Sequence, residues 1–418
     1  MSGSSPLAPF RTRSFRFQWP ADLLTAWALE METLILGWYV LVETGSVLAL
    51  TVFGSLQFVG TLISPMLGVA GDRLGFRNVL AAMRLCYATF AAVLLAFAAT
   101  GRLEPAVVLV VAACSGLIRP SDIGMRSALV GATIPPAHLV AAMGVSRTTQ
   151  DSARVAGALA GAGLIASFGM TSAYVAITAI YLAGALLTLL VTRDSKAGET
   201  SVPTGAPSVA RPSPWRDLME GLAYVWRTPQ LLAAMSLAAL VNLTAFPLTG
   251  GLMPYIARDV FHLDQKGLGL LVASFAMGSF IGSVSLSVLG GRVRPARTML
   301  ATAVVWYLAL MGFVLTDTLA VAMGLLLVAG VCQSFSMITL AILLLKTSDE
   351  RFRGRIMGVR MLAIYTLPLG LLAAGAMIPQ IGYKATALLL VVSGLLLTLE
   401  IGVGWRRDLI SRDAVSNA

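Results

Sequence analysis

Twelve apolar stretches, each about as long as a bilayer-crossing helix, constrain the fold of this 418-residue chain more than any other feature. A hydrocarbon core of about 30 Å takes about 20 residues in helical form. Stretches of that length run over residues 21–42, 47–70, 79–100, 105–129, 139–167 and 170–192. After a polar break they resume over 230–257, 267–290, 298–316, 318–345, 356–379 and 383–404. An unpaired backbone group in lipid costs several kcal/mol, so a crossing segment is a helix or part of a closed barrel. Barrel strands are about 10 residues long and alternate in polarity, which these stretches do not. Hydrophobic residues make up 57% of the chain and charged residues 12%, whereas soluble domains carry about 25% charge. The expected fold class is an all-α membrane protein with twelve transmembrane helices in two pseudo-symmetric six-helix halves.

The break separates the halves. Between Arg193 and Pro214 lie Pro203, Pro207 and Pro212 with Gly and Ser between them, the composition of a flexible linker. Residues 215–227 then read as an amphipathic surface helix, with Leu218, Leu222 and Val225 on one side and Trp215 and Trp226 suited to the interface. The expected organisation is a cytoplasmic segment 1–20, a first half 21–192, a linker with its helix 193–229, a second half 230–404 and a cytoplasmic tail 405–418. Charge sets the orientation. Of the 30 Lys and Arg residues, only Arg102, Arg258, Lys266 and Lys384 fall in loops opposite the N-terminus. This positive-inside asymmetry places both termini in the cytoplasm, and it accounts for the net charge of +10 without a nucleic-acid partner. No small-residue cleavage site follows the first stretch, which is expected to be retained. Cys86, Cys114 and Cys332 are scattered through apolar runs and read as reduced packing residues.

A glycine-rich loop, Gly68-Val-Ala-Gly-Asp72-Arg73-Leu-Gly75-Phe-Arg77, joins the second and third stretches. It resembles the G-x-x-x-D-R-x-G-R-R loop of the major facilitator superfamily, with Phe76 where the first of two basic residues is usual. The resemblance implies that Gly68, Asp72, Arg73, Gly75 and Arg77 form a conformational latch, Asp72 docking near the start of the eleventh stretch. The matching turn of the second half, Gly290-Gly-Arg292-Val-Arg294, lacks the aspartate and looks degenerate. Further segments are similar to the drug:proton antiporter branch that includes siderophore exporters and macrolide-efflux proteins. They are Glu220 to Pro229, Ala257 to Val260, Gly267-Leu-Gly269 and Asp349 to Gly358. One departure is Gly157-Ala158 in the fifth stretch, where exporters often carry Gly-Pro.

Charge at membrane depth costs about 2.5–3.5 kcal/mol per group on insertion scales, so each such residue is a functional candidate. Glu30 and Glu32 lie in the first stretch. Two positions apart on a helix, about 200°, they cannot face one cavity. One of them, preferentially Glu30, is the candidate proton-coupling site; the alternative is that hydroxyls or arginines pin both. Arg119, Asp122 and Arg126 share one face of the fourth stretch, and Arg147, Asp151 and Arg154 one face of the fifth. Counting from the turn at Pro135-Pro136 predicts two cross-helix pairs, Asp122 with Arg147 and Arg119 with Asp151. That leaves Arg126 near the cytoplasmic edge and Arg154 deepest, without assigned partners. These six form a gate or scaffold, or else Arg154 or Arg119 meets a substrate anion or a carboxylate of the first stretch. The second half offers Asn242, Gln333 and Tyr365 as cavity candidates and almost no midplane charge.

Enzyme chemistry is not expected. The chain has no phosphate-binding G-x-x-x-x-G-K-[ST] loop and no G-x-S-x-G elbow, and His138 and His262 stand alone in loops. No cofactor or metal is expected. The resemblance implies proton-coupled export of an amphiphilic small molecule, drug-like or siderophore, by alternating access. It further implies a monomer in a bacterial inner membrane with solute, protons and lipid as partners. The alternatives are an importer or symporter of an organic anion on the same fold and a non-transporting membrane sensor or partner protein.

Overall fold

A computed structural model describes residues 8–62, 70–71, 73–191, 214–289, 293–349 and 352–406. The chain divides into two compact units. Met1–Ala49, Phe53–Ala206 and His262–Ala273 form the first; Leu50–Val52, Pro207–Phe261 and Ser274–Ala418 form the second.

The first unit contains α1 (Arg13–Thr44), α2 (Val47–Leu56, then a 3-10 turn Val59–Leu62), α3 (Phe76–Ala99), α4 (Pro105–Thr133) and α5 (Pro136–Leu189). Helices α4 and α5 open on proline, whose fixed φ and missing N–H suit a first helical position. Two expected spans share α5, divided at Gly169, whose φ of 76° and ψ of 179° end one helical arm and start the next. Only glycine adopts that geometry freely. Helix α1 packs along both arms of α5, and α3, α4 and the end of α5 enclose a core of Val79, Leu80, Met83, Met125, Leu129 and Val191.

The second unit contains α6 (Pro214–Arg227), α7 (Pro229–Thr244), most of α8 (Gln265–Leu289, whose residues up to Ala273 fall in the first unit), α9 (Pro295–Leu315), α10 (Leu319–Thr347), α11 (Arg353–Ile364), α12 (Thr366–Ile381) and α13 (Tyr383–Gly404). The amphipathic helix expected after the linker is α6. Its Val225 is buried, while Leu222 and Trp226 are exposed. It docks on α11: Glu220 pairs with Arg355 at 2.8 Å, and the ring of Tyr224 stacks on Phe352 at 4.4 Å.

Three of the expected continuous helices are not continuous. The described part of the second is the ten-residue α2 and a 3-10 turn, residues 63–69 lying outside the described chain. The seventh is α7 followed by Phe246–Thr249, Met253–Tyr255 and a π-turn at Ile256–Val260. The eleventh divides at Tyr365 into α11 and α12. Pro247 and Pro368 lack the N–H that would reach back one turn, which accounts for the last two breaks. Among the described residues nine helices are long and apolar enough to cross a membrane, and Val47–Thr61 and Pro229–Thr244 are shorter apolar helices. Lipid-facing character shows on the surface, where Val288 is 83% and Val403 76% exposed. Side chains so apolar and so bare belong against acyl chains.

Candidate functional site

Charge collects in the first unit. Arg84 of α3 pairs with Asp22 of α1 and donates to the Thr188 hydroxyl of α5. Arg126 of α4 pairs with Asp122 one turn earlier, approaches the Asp22 carboxylate at 3.9 Å and donates to the Asp22 carbonyl at 3.4 Å. Gln18 donates to the Arg126 carbonyl at 3.1 Å. All six side chains are buried. Two carboxylates and two guanidiniums thus neutralise one another, as burial requires. Beside Asp22 and Arg126 lies a cavity of about 20 Å³, also lined by Ser127, Ser146, Thr149 and Gln150. It has room for about one water. Asp22 and Arg84 escaped the sequence reading because both stand near the N-terminal ends of their stretches, where long side chains are expected to reach water. The applicable signal was that each already lies inside an apolar run.

The two predicted cross-helix pairs do not form. Asp122 bonds Arg126, and Arg147 approaches Asp151 at 3.4 Å, each pair one turn apart on a single helix. Such i,i+4 partners are already neighbours, so no match across helices is needed. Arg119 turns away from α5, donating to Gln57 after α2 and to the Thr33 hydroxyl of α1 at 2.9 Å. Arg126, expected at the edge without a partner, is buried and doubly partnered. Arg154 has a partner as well, Glu30 at 3.7 Å, one of the alternatives open to it.

The two α1 glutamates part as their spacing requires. Glu30 and Arg154 are both accessible, at 31% and 47% of their side-chain areas. Their helices meet at glycine: a Cβ on Gly157 would lie 2.8 Å from the Glu30 Cβ, and one on Gly161 3.0 Å from the Met31 Cα. Glu32 is buried and accepts a 2.8 Å bond from the Tyr181 hydroxyl on the second arm of α5. Its Oε1 meets no hydrogen-bond donor among the described residues. Tyr181 itself packs against Tyr87 at 5.6 Å.

The latch loop is described only in part, Gly68 and Asp72 lying outside the described residues. Arg73 is exposed, and Gly75 precedes α3 with φ 86°. Arg77 donates to the carbonyls of Leu189 at 3.3 Å and Val191 at 3.1 Å, a cation on the C-terminal end of α5. This ties α3 to α5 within one unit.

In the second unit Asn242 and Tyr365 stand beside the breaks that end α7 and α11. Across those breaks Thr366 donates to the Ala239 carbonyl at 2.7 Å, and a Cβ on Gly370 would sit 2.1 Å from the Leu243 carbonyl. Asn242 is buried and bonds its own helix at the Ala238 carbonyl. Gln333 lies at the α8–α10 crossing, where its Oε1 accepts from Ser279 at 3.1 Å.

That crossing repeats one in the first unit. Added Cβ atoms on Gly60 and Gly116 would strike the Leu117 and Leu56 carbonyls at 2.1 and 2.0 Å; on Gly282 one would strike the Val331 carbonyl at 2.8 Å, and on Gly330 the Phe275 carbonyl at 2.1 Å and the Ser279 nitrogen at 2.8 Å. With Gly60 matched to Gly282 and Gly116 to Gly330, Gln57 falls at Ser279, Arg119 at Gln333, and Asp122 and Arg126 at Ser336 and Leu340. The Arg119–Gln57 bond thus recurs as Gln333–Ser279, with the charge removed.

Comparison with known families and structures agrees with this duplicated helical plan. The family profile described as Major Facilitator Superfamily matches residues 23–367 and 235–416. The nucleoside transporter NupG superposes with a TM-score of 0.73 at 14% identity, covering 93% of this chain and 99% of that one. The human organic anion transporter MFSD10 gives 0.65 at 16% identity, with 94% and 99% covered. A bacterial homologue of the human lysosomal transporter Spinster gives 0.65 at 14% identity, with 99% and 95% covered. No curated protein matches the sequence. The structural likenesses carry the fold alone, while the family match spans most of the chain: this protein belongs to the major facilitator superfamily and is a multi-pass membrane transporter.

Proposed function

We propose that the protein exports an amphiphilic small molecule, drug-like or siderophore, in exchange for protons, working by alternating access in a bacterial inner membrane with both termini cytoplasmic. The observation that carries this reading is Glu32. Its carboxyl is buried in α1 and has one hydrogen-bond donor and no paired cation among the described residues. A carboxyl held this way changes charge with little structural penalty, because the Tyr181 hydroxyl bonds either protonation state. Glu30 was the preferred carboxyl by sequence. It is instead paired with Arg154 at 3.7 Å. The second unit's hydroxyls and amides, standing where the first unit carries charge, suit a solute with apolar and hydrogen-bonding parts.

Proton flux in proteoliposomes tests this, with amphiphilic cations, macrolides and siderophores added in turn. Glu32→Gln keeps an acceptor for Tyr181 and removes the titrating group. It is expected to cut compound-driven flux more than tenfold, while Glu30→Gln retains it. Coupled flux surviving in Glu32→Gln would overturn the proton assignment. A second reading, transport of an organic anion, is favoured by the accessible guanidiniums of Arg154 and Arg147. It predicts that anion uptake or release is lost in Arg154→Gln and is indifferent to Glu32.

A further inference from the structure

A cavity lies within the second unit, away from the charged cluster of the first. It has a volume of about 380 Å³ and is enclosed by the ends of α8 and α10 and the start of α9, within the range of about 300–1,000 Å³ typical of ligand sites. Leu286, Ile338 and Ile342 supply apolar walls. The hydroxyls of Ser283 and Thr339 are spent on their own helices, at the Phe280 and Phe335 carbonyls, 3.0 and 2.6 Å away. Nothing polar in the depth of this cavity asks for a polar guest. Its rim is different. Lys346 lines it, and Arg294, between the lining residues Val293 and Pro295, is exposed with Arg297 just beyond. Among the described residues no carboxylate pairs with Lys346, and Asp349 receives the Tyr224 hydroxyl instead. Val288, Leu289 and Leu345 beside it are bare apolar side chains.

The repeat shows that this space is not forced by the fold. With Gly116 matched to Gly330, Thr339 stands where the first unit has Met125, and Lys346 where it has Ala132. Met125 there fills the core with Val79, Leu80 and Met83. The second unit has exchanged a space-filling methionine for threonine and has added a cation at the mouth.

We infer that this cavity seats an acyl chain of an anionic phospholipid, whose phosphate meets Lys346, Arg294 and Arg297. Charge asymmetry puts this end of the unit at the cytoplasmic leaflet, where anionic lipids and basic pockets between helices meet.

The test is native mass spectrometry of the full chain in detergent after incubation with phosphatidylglycerol or phosphatidylcholine of equal acyl length. Wild type is expected to retain phosphatidylglycerol selectively. Lys346→Gln should lower that retention about fivefold, from about 1 kcal/mol per interfacial cation. Thr339→Met, which restores the first unit's residue, should abolish it with the cations intact. Lys346→Gln alters an exposed side chain and keeps the experiment decisive where Thr339→Met fails to fold. Equal retention of the two lipids, or unchanged selectivity in Lys346→Gln, would overturn the inference. So would displacement of the lipid by millimolar inorganic phosphate, which would show a phosphate site without an acyl seat. Lipid binding is read without transport, so failure here leaves the proposed function standing.

Discussion

Asp22 and Arg84 carry the heaviest structural burden of any charged pair in the first unit, since both are buried and each has a second bonded neighbour. Removing one member leaves an uncompensated charge, which typically costs about 3–5 kcal/mol. Arg84→Gln and Asp22→Asn are each expected to lower the detergent-solubilised melting temperature strongly. The double variant should cost less than their sum by roughly 0.5–3 kcal/mol, the usual coupling of contacting residues. Asp122→Asn with Arg147→Gln is the control. Those residues bond different partners on different helices, so their effects should add. Additivity in the first cycle would deny the pair, and coupling in the second would restore the cross-helix pairing that geometry argues against. The mistaken pairing has a plain cause. Counting residues from a turn gives depth along a helix but not which way each face is rotated, and only rotation separates Asp122 with Arg126 from Asp122 with Arg147.

At the scale of elements, glycine decides which helices can touch. Gly161 is in close contact, its virtual Cβ 3.0 Å from the Met31 Cα, while a Cβ on Gly163 meets nothing within 4 Å. The prediction is a contrast between neighbours on α5. Gly161→Leu should push α1 from α5 and lose more than the about 1–3 kcal/mol typical of overpacking, seen as lost monodisperse protein on gel filtration. Gly163→Leu should express and melt like wild type. Loss in both would point to a general intolerance of bulk in α5. The small-residue spacing of Gly157 and Gly161 was readable as a packing face, but its partner was not, because the sequence does not say which of eleven other spans approaches. Breaks were less readable than helices. Pro247 and Pro368 were visible, yet both sit inside apolar runs whose hydropathy stays high through an interruption. Neutral polar residues within the apolar runs were the harder part of the site: Gln57 and Thr33, which hold Arg119, look in sequence like ordinary span residues.

For the whole molecule, duplication and charge asymmetry make separate demands that must agree. The repeat matches Gly60 with Gly282 and Gly116 with Gly330, equating the second and fourth spans with the eighth and tenth. Two halves of six spans each return both termini to one side, and the distribution of Lys and Arg predicts that this side is the cytoplasmic one. Every loop then has an assigned face, so one experiment tests the arrangement. With Cys86, Cys114 and Cys332 replaced, single cysteines are placed at exposed Arg73, Arg102, Lys384 and Arg406. A membrane-impermeant maleimide added to intact cells is expected to label Arg102→Cys and Lys384→Cys, and to reach Arg73→Cys and Arg406→Cys only after the membrane is opened. Reversal at all four would invert the protein and put the cations around Lys346 at the outer leaflet, removing the reason to expect anionic lipid there. Labelling of Arg102→Cys and Arg406→Cys from the same side would be worse for the fold. It would require an even number of crossings after the third span, whereas two halves of six leave nine. The agreement of a packing register with a charge count is therefore open to a single chemical test, and a mixed result would break the repeat before it broke the orientation.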